Sequence, residues 1–371
     1  MAVIDTVLLK VASRCNLNCS YCYLYQHGDT SYLRRPEFMT DGAFDQLLER
    51  IAEYCDRHAP HALSITFHGG EPTLIGADWI DRAAAKAKAQ LGPRLSRMFL
   101  QTNAILLDDA WLDVIRRREL RVSISLDGPR EIHDRSRVNH GGRGSYAATA
   151  RGLRRVLDSG LNPNILCVVN PAASGVDAYR HFRSLGINRM DFLLPDITHD
   201  NRERVYGRYG PTPVADYLIS VFDEWFREDD PGVWVSIFHE LVTIVRGGRA
   251  RSDAFGNLRM GYLIVETDGG IHANDVLRIS GHDVANSGLN IFEHDFDSLH
   301  LGSPLLHQLV HEGLPLCETC RACPERGACG GGHVPHRYAH RNGFDNPSVW
   351  CADILKLLAH IRREVQLACD A

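Results

Sequence analysis

Strand and helix patterns alternate along the first two hundred residues and predict an α/β chain built on a parallel sheet, either open and doubly wound or curled into a partial barrel. Six apolar runs with strand character fall at residues 3–12, 63–67, 97–101, 121–126, 164–169 and 189–194. Amphipathic stretches separate them at 41–58, 77–91, 108–117, 145–159 and 176–185, each long enough for a right-handed crossover. Polar and glycine residues follow the strands: Ser13-Arg14-Cys15, His68-Gly69-Gly70-Glu71-Pro72, Thr102-Asn103, Asp127-Gly128, Asn170 and Asp196. One Gly-Gly or Asp-Gly is ordinary turn chemistry. Recurrence at every strand end is what marks the C-terminal face of the sheet as the place for chemistry.

The rest of the chain reads differently. Helical segments at 214–227 and 235–245 precede a glycine-punctuated stretch at 258–277, read as a hairpin around Asp268-Gly269-Gly270. A loop-like region rich in Cys, Gly and His covers 315–351, and an amphipathic helix at 352–367 closes the chain. The expected division is 1–210, 211–300 and 301–371.

Composition narrows the function classes. With 44% hydrophobic and 23% charged residues the 371-residue chain is of ordinary globular type. A net charge of −5 offers no basic footprint for nucleic acid, and no apolar run reaches the roughly 20 residues of a membrane span. The opening MAVIDTVLLKVAS has none of the features of a secretory signal, which points to the cytoplasm and reduced thiols.

The 11 cysteines are then metal ligands before they are disulfides. Cys55, Cys167 and Cys369 stand alone and read as small packing residues or incidental thiols. Cys15, Cys19 and Cys22 put three thiolates within eight residues on the loop after the first strand. Structural zinc wants four ligands, and His27 is not a convincing fourth. Three thiolates on a cubane leave one iron open for a substrate or cofactor. The second group, Cys320-x2-Cys323-x5-Cys329 and then Cys351, is by itself compatible with a zinc ribbon.

The Cys15-x3-Cys19-x2-Cys22 spacing, with Tyr21 before the last Cys, resembles the signature of radical S-adenosylmethionine (SAM) enzymes. The resemblance implies a partial (β/α)6 TIM-type barrel, a 4Fe–4S cluster on the three cysteines, and SAM on the open iron. Gly69, Gly70 and Glu71 resemble the family's Gly-Gly-Glu-Pro segment beside the SAM amino group. Ser125 and Asp127 resemble ribose- and methionine-binding positions, and Arg137 the arginine that holds the SAM carboxylate, a task suited to a two-pronged donor. Tyr21 and Leu193 would meet adenine, and Asn103 belongs to the same set.

The second cysteine group is similar to the C-terminal SPASM domain of peptide-modifying members. That likeness implies one auxiliary 4Fe–4S cluster on Cys320, Cys323, Cys329 and Cys351, with Cys317 as a neighbour or alternative ligand. This sequence departs from the family's pattern: His333 stands at a cysteine position, and no Cys occurs between Cys167 and Cys317.

The segments Cys329–Tyr338, Gly343–Cys351 and Glu266–Gly270 resemble the FxsB-type, cyclophane-forming maturases of ribosomal peptides. This implies a precursor-peptide substrate, an external flavodoxin- or ferredoxin-type electron donor, and coupling of a Cβ to an aromatic ring. Asp196 and Asp275 are the candidate bases. With the first strand starting near residue 3, no N-terminal leader-binding domain is expected. A second reading is a sulfatase-maturing enzyme that oxidises Ser or Cys to formylglycine, which His68-Gly-Gly-Glu-Pro-Thr-Leu74 also resembles. The reduced auxiliary ligand set speaks against it. The third is a non-catalytic iron–sulfur or zinc protein.

Overall fold

Strand β1 (Thr6–Ala12) is buried along most of its length because it is sandwiched between two parallel neighbours, which is why it reads as an almost continuous apolar run. The computed structural model describes residues 4–58, 61–250, 252–256 and 260–370. Val3 at the predicted start of this strand, Leu258 at the predicted start of the hairpin, and the Cys369 side chain fall outside the described residues.

The remaining strands are β2 (Leu63–Gly69), β3 (Leu95–Thr102), β4 (Arg121–Ser125), β5 (Asn164–Val168), β6 (Arg189–Leu193), β7 (Trp234–Val235), β8 (Tyr262–Val265), β9 (Gly270–His272) and β10 (Leu289–Asn290). The chain forms two units. The first comprises residues 1–125, 136–163 and 259–312; the second comprises 126–135, 164–258 and 313–371. In the first unit the strand order is β10-β9-β8-β1-β2-β3-β4, with β8 and β1 to β4 parallel and β9 and β10 antiparallel to their neighbours. In the second unit β5, β6 and β7 pair in parallel. The expected α/β class with a parallel sheet is the one observed.

Helix Asp41–Arg57 shows how the connections are specified. Thr40 caps it by accepting from the Ala43 amide at 3.2 Å. Its buried stripe Ala43, Phe44, Leu47, Leu48, Ile51, Tyr54 and Cys55 follows the 3.6-residue period, so Cys55 packs as a small apolar side chain. Asp108 caps Asp109–Arg117 and Ser174 caps Gly175–Ser184 in the same way. The predicted turn at Asp268-Gly269 joins β8 to β9. The sequence did not announce that β8 pairs in parallel with β1, because Tyr-Leu-Ile-Val is too short and too uniformly apolar to show a period. Among the described residues no helix is long and apolar enough to cross a membrane.

In the second unit, Asp191 on β6 accepts from the backbone amides of Phe192 (3.0 Å) and Ile237 (3.1 Å), tying the strand to helix Ser236–Val245. Burial outweighs these two donors and pushes its carboxyl up to about 7. The folded form therefore holds a proton that the unfolded chain releases near the ordinary value of about 4. The stability this contributes is complete below about 4 and is lost as pH rises through about 7. Asp191→Asn, which keeps an acceptor and cannot ionise, is expected to flatten that loss in thermal melts across the window. An unchanged slope would show that Asp191 does not titrate there.

Candidate active site and cysteine clusters

The loop after β1 carries Cys15, Cys19 and Cys22 and is fastened by backbone bonds. The amides of Asn18 and Ser20 donate to Val138 O (2.7 Å) and Ser136 O (2.9 Å), and the Leu17 amide donates to Cys15 Sγ at 3.3 Å. All three are free thiols. Burial, then Glu71, Cys19 and Cys22, raise the Cys15 thiol far above its usual range. Burial, chiefly, pushes Cys22 up to about 11, with Cys19 adding to it. Thiols this enclosed are poor at ionising together, so three thiolates here require a compensating cation. A tetrahedral zinc with bonds of about 2.3 Å needs sulfurs about 3.8 Å apart. Among the described residues no group of three cysteine sulfurs lies even within 4.8 Å of one another, whereas a cubane separates its ligands more widely. The donor set fits an iron–sulfur cluster.

The strand-end glycines have a structural cause. A Cβ on Gly69 would stand 2.3 Å from Ala12 O, and one on Gly70 would stand 2.0 Å from Tyr25 Oη and 2.3 Å from Arg14 O. Backbone bonds from Gly70 N to Ala12 O (2.8 Å) and Glu71 N to Arg14 O (2.9 Å) bring the segments into this contact. The Glu71 side chain has no capacity left for a ligand. Its carboxylate accepts from Thr73 Oγ1 (2.6 Å), Thr73 N (3.1 Å), Thr102 Oγ1 (2.6 Å) and Asn103 N (2.8 Å), locking the ends of β2 and β3. Asn103 donates to Asn16 on the cysteine loop at 2.7 Å. Ser125 accepts from Gln101 at 3.1 Å. Arg137 is buried rather than solvated, and its guanidinium lies 5.5 Å from the Tyr21 ring centre.

Asp275 belongs to this first unit and ends in a buried charge network. Lys10 pairs with its Oδ2, Tyr23 Oη donates to the same oxygen at 3.0 Å, and Arg278 approaches Oδ1 at 3.4 Å. Burial works against ionisation, but Lys10 and Arg278 outweigh it and hold the carboxyl well below the usual range. Arg278 also pairs with Asp29 and Glu266. The parallel register of β1 and β2 sets Lys10 beside His68, with Nζ and Nδ1 3.2 Å apart. Burial, and then the Lys10 charge, lower His68 to about 3, so the imidazole is neutral. Sequence reasoning missed Lys10, Tyr23, His68 and Arg278 as site residues. The available signal was Lys10 itself, a charged residue inside an otherwise apolar strand and only 2% exposed.

The second unit holds the other predicted residues. Asp127 is buried and accepts from the Val168 amide at 3.2 Å. Leu193 is 37% exposed, which excludes a core role. Asp196 pairs with His336 Nε2 at 2.9 Å. Cys317, Cys320, Cys323, Cys329 and Cys351 influence one another electrostatically: burial and then Cys317 push Cys320 up to about 12, and burial pushes Cys329 up to about 11 with Cys351 and Cys323 contributing. Cys317 is thus part of the group and not a bystander. Buried Arg337 faces Cys320 and Cys317 and is held by the carbonyls of Pro315, Phe344 (3.1 Å) and Asn346 (3.3 Å). Cys167 is buried in β5, away from any such group, and contacts Tyr217 Oη at 3.9 Å.

A signature thiol triad after the first strand of an α/β parallel sheet defines a class, and the comparison with known families agrees: residues 9–173 match the Radical SAM superfamily. This part of the chain is a radical SAM domain, with SAM and a 4Fe–4S cluster as its cofactors, and the chain is a radical SAM enzyme.

Over 334 residues it is 25% identical to the cysteine-type anaerobic sulfatase-maturating enzyme of Clostridium perfringens, covering 88% of each chain. It is 26% identical over 354 residues to the serine-type enzyme of Klebsiella aerogenes, covering 91% of this chain and 81% of the relative. The solved structure of native anSMEcpe with bound AdoMet and Cp18Cys peptide shares its fold, with a TM-score of 0.82 at 22% identity over 98% of this chain and 99% of the other. These relatives overturn the expectation of a cyclophane-forming enzyme and favour the second reading. The reduced cysteine set argued against that reading, but it is a local change within a likeness that runs along nearly the whole chain.

Proposed function

We propose that this chain oxidises a Cys or Ser side chain of a peptide to formylglycine, as an enzyme of anaerobic sulfatase-maturating type. The observation that carries this reading is the near end-to-end likeness to such enzymes. Cys15, Cys19 and Cys22 hold the radical cluster, and the backbone at Gly69-Gly70, with Ser125 and Arg137, holds SAM. Tyr21, Asn103, Asp127 and Leu193 complete the SAM contacts, while Glu71 positions them through β2 and β3. When bound there, the reduced cluster and SAM supply a deoxyadenosyl radical able to remove a hydrogen atom from Cβ.

The chain's own residues then handle a proton. Conversion of a CH2–SH or CH2–OH group to the aldehyde level removes two electrons and two protons, one of each as the Cβ hydrogen atom. Asp275 accepts the remaining proton, from sulfur or oxygen. The Lys10 and Arg278 charges keep it ionised, and Tyr23 fixes the direction of its Oδ2. Of the two carboxylates singled out from the sequence, Asp275 is the one in the same unit as the thiol triad. Cys320, Cys323, Cys329 and Cys351, with Cys317 beside them, hold an auxiliary 4Fe–4S cluster that serves the remaining electron. The reading requires a peptide substrate and an external one-electron donor, and it places the chain in the cytoplasm, where thiols stay reduced.

The test is anaerobic incubation of the reconstituted enzyme with SAM, a reductant and paired peptides carrying Cys or Ser in a sulfatase active-site sequence. A new aldehyde trapped by a hydrazine probe, with matching deoxyadenosine, is the expected result. Deoxyadenosine release with neither peptide acquiring an aldehyde would overturn the reading.

A further inference from the structure

His333 and His336 bracket a short 3₁₀ turn, Val334–Arg337, closed by a bond from His336 N to His333 O at 3.0 Å. Three residues per turn places side chains three apart on the same side, and the two imidazole centres are 5.0 Å apart. Asp196, just past β6, reaches the same place. The ligand atoms of Asp196, His333 and His336 all lie within 4.8 Å of one another, and Asp253 Oδ2 stands 3.4 Å from His333 Nε2. His336 is 3% exposed, and its Nδ1 finds no hydrogen-bond partner. Asp196 and His333 are partly exposed, which leaves a way in from solvent.

We propose that Asp196, His333 and His336, with Asp253 as a further ligand or as the acceptor that orients His333, form a mononuclear site for a divalent first-row transition ion. Two imidazoles and one or two carboxylates are the donor set of zinc or ferrous iron, and no thiolate belongs to it. Bonds of about 2.0–2.1 Å on a tetrahedron put ligand atoms about 3.3 Å apart, so rotamer adjustment within the observed 4.8 Å suffices. The site stands where the cysteine pattern breaks at His333, four residues after Cys329. The ion fastens the segment after β6 to the turn that follows the cysteine group.

Zinc is the probe. The cluster-reconstituted enzyme, equilibrated anaerobically with Zn²⁺ and desalted, is expected to retain one zinc per chain. Its zinc-edge X-ray absorption should show a nitrogen/oxygen shell at about 2.0–2.1 Å and no sulfur shell at about 2.3 Å. His333→Ala and Asp196→Asn are expected to lose that zinc while retaining the wild-type iron content, which reports that the cysteine group is intact. No retained zinc in the wild type, a sulfur shell, or zinc undiminished in both variants would each overturn the proposal. The wild-type spectrum decides the matter even if a variant fails to fold.

Discussion

Replacement of Cys15, Cys19 and Cys22 together by Ala is expected to abolish deoxyadenosine release and to remove about four iron per chain, leaving the iron of the second cysteine group in place. The effect is all-or-none because the open coordination position exists only when three thiolates hold the other irons. Iron counting alongside turnover distinguishes loss of the cluster from loss of the fold. Deoxyadenosine release above background from the triple variant would refute the assignment.

Asp275→Asn carries the second-largest effect. If the carboxylate accepts the proton, aldehyde formation should fall by about 10²- to 10⁴-fold while deoxyadenosine is still released, so the ratio of product to deoxyadenosine drops. The substitution also leaves Lys10 with a neutral partner at a buried site, which costs about 3–5 kcal/mol where a charge is left uncompensated. A melting curve therefore accompanies the assay. If product and deoxyadenosine fall in parallel with lost stability, Asp275 is a structural counter-ion and the base is elsewhere. Lys10→Met sharpens the comparison: it should destabilise comparably but leave the product ratio less affected.

The strands and crossovers of the first two hundred residues were legible because each announces its own period, and Thr40, Asp108 and Ser174 mark where helices begin. The thiol triad was legible because its three ligands are local in sequence. The charge network was not, since Lys10, Asp29, Glu266 and Arg278 meet only through the pairing of β1 with β8, a long-range event. Glu71 was read as part of the SAM contacts, yet its carboxylate is committed to four protein donors that no local pattern reveals. Cys317 could not be ranked from spacing, whereas its pull on Cys320 places it within the group. The choice between a crosslink and an aldehyde was misjudged because both reactions start from the same radical, and their difference lies in how the peptide is presented.

Arg278 pairs with Asp29, Glu266 and Asp275, while Asp29 sits seven residues past Cys22. The cysteine loop is therefore braced by a segment synthesised some two hundred and fifty residues later. On a ribosome, the first strands emerge with Lys10 and Asp29 still lacking their counter-charges, so the radical centre cannot reach its finished electrostatic setting until residue 278 has left the tunnel. Cluster loading in the cell is thereby postponed toward the end of translation, and a shortened chain ending near residue 210 would expose the loop in its unbraced form.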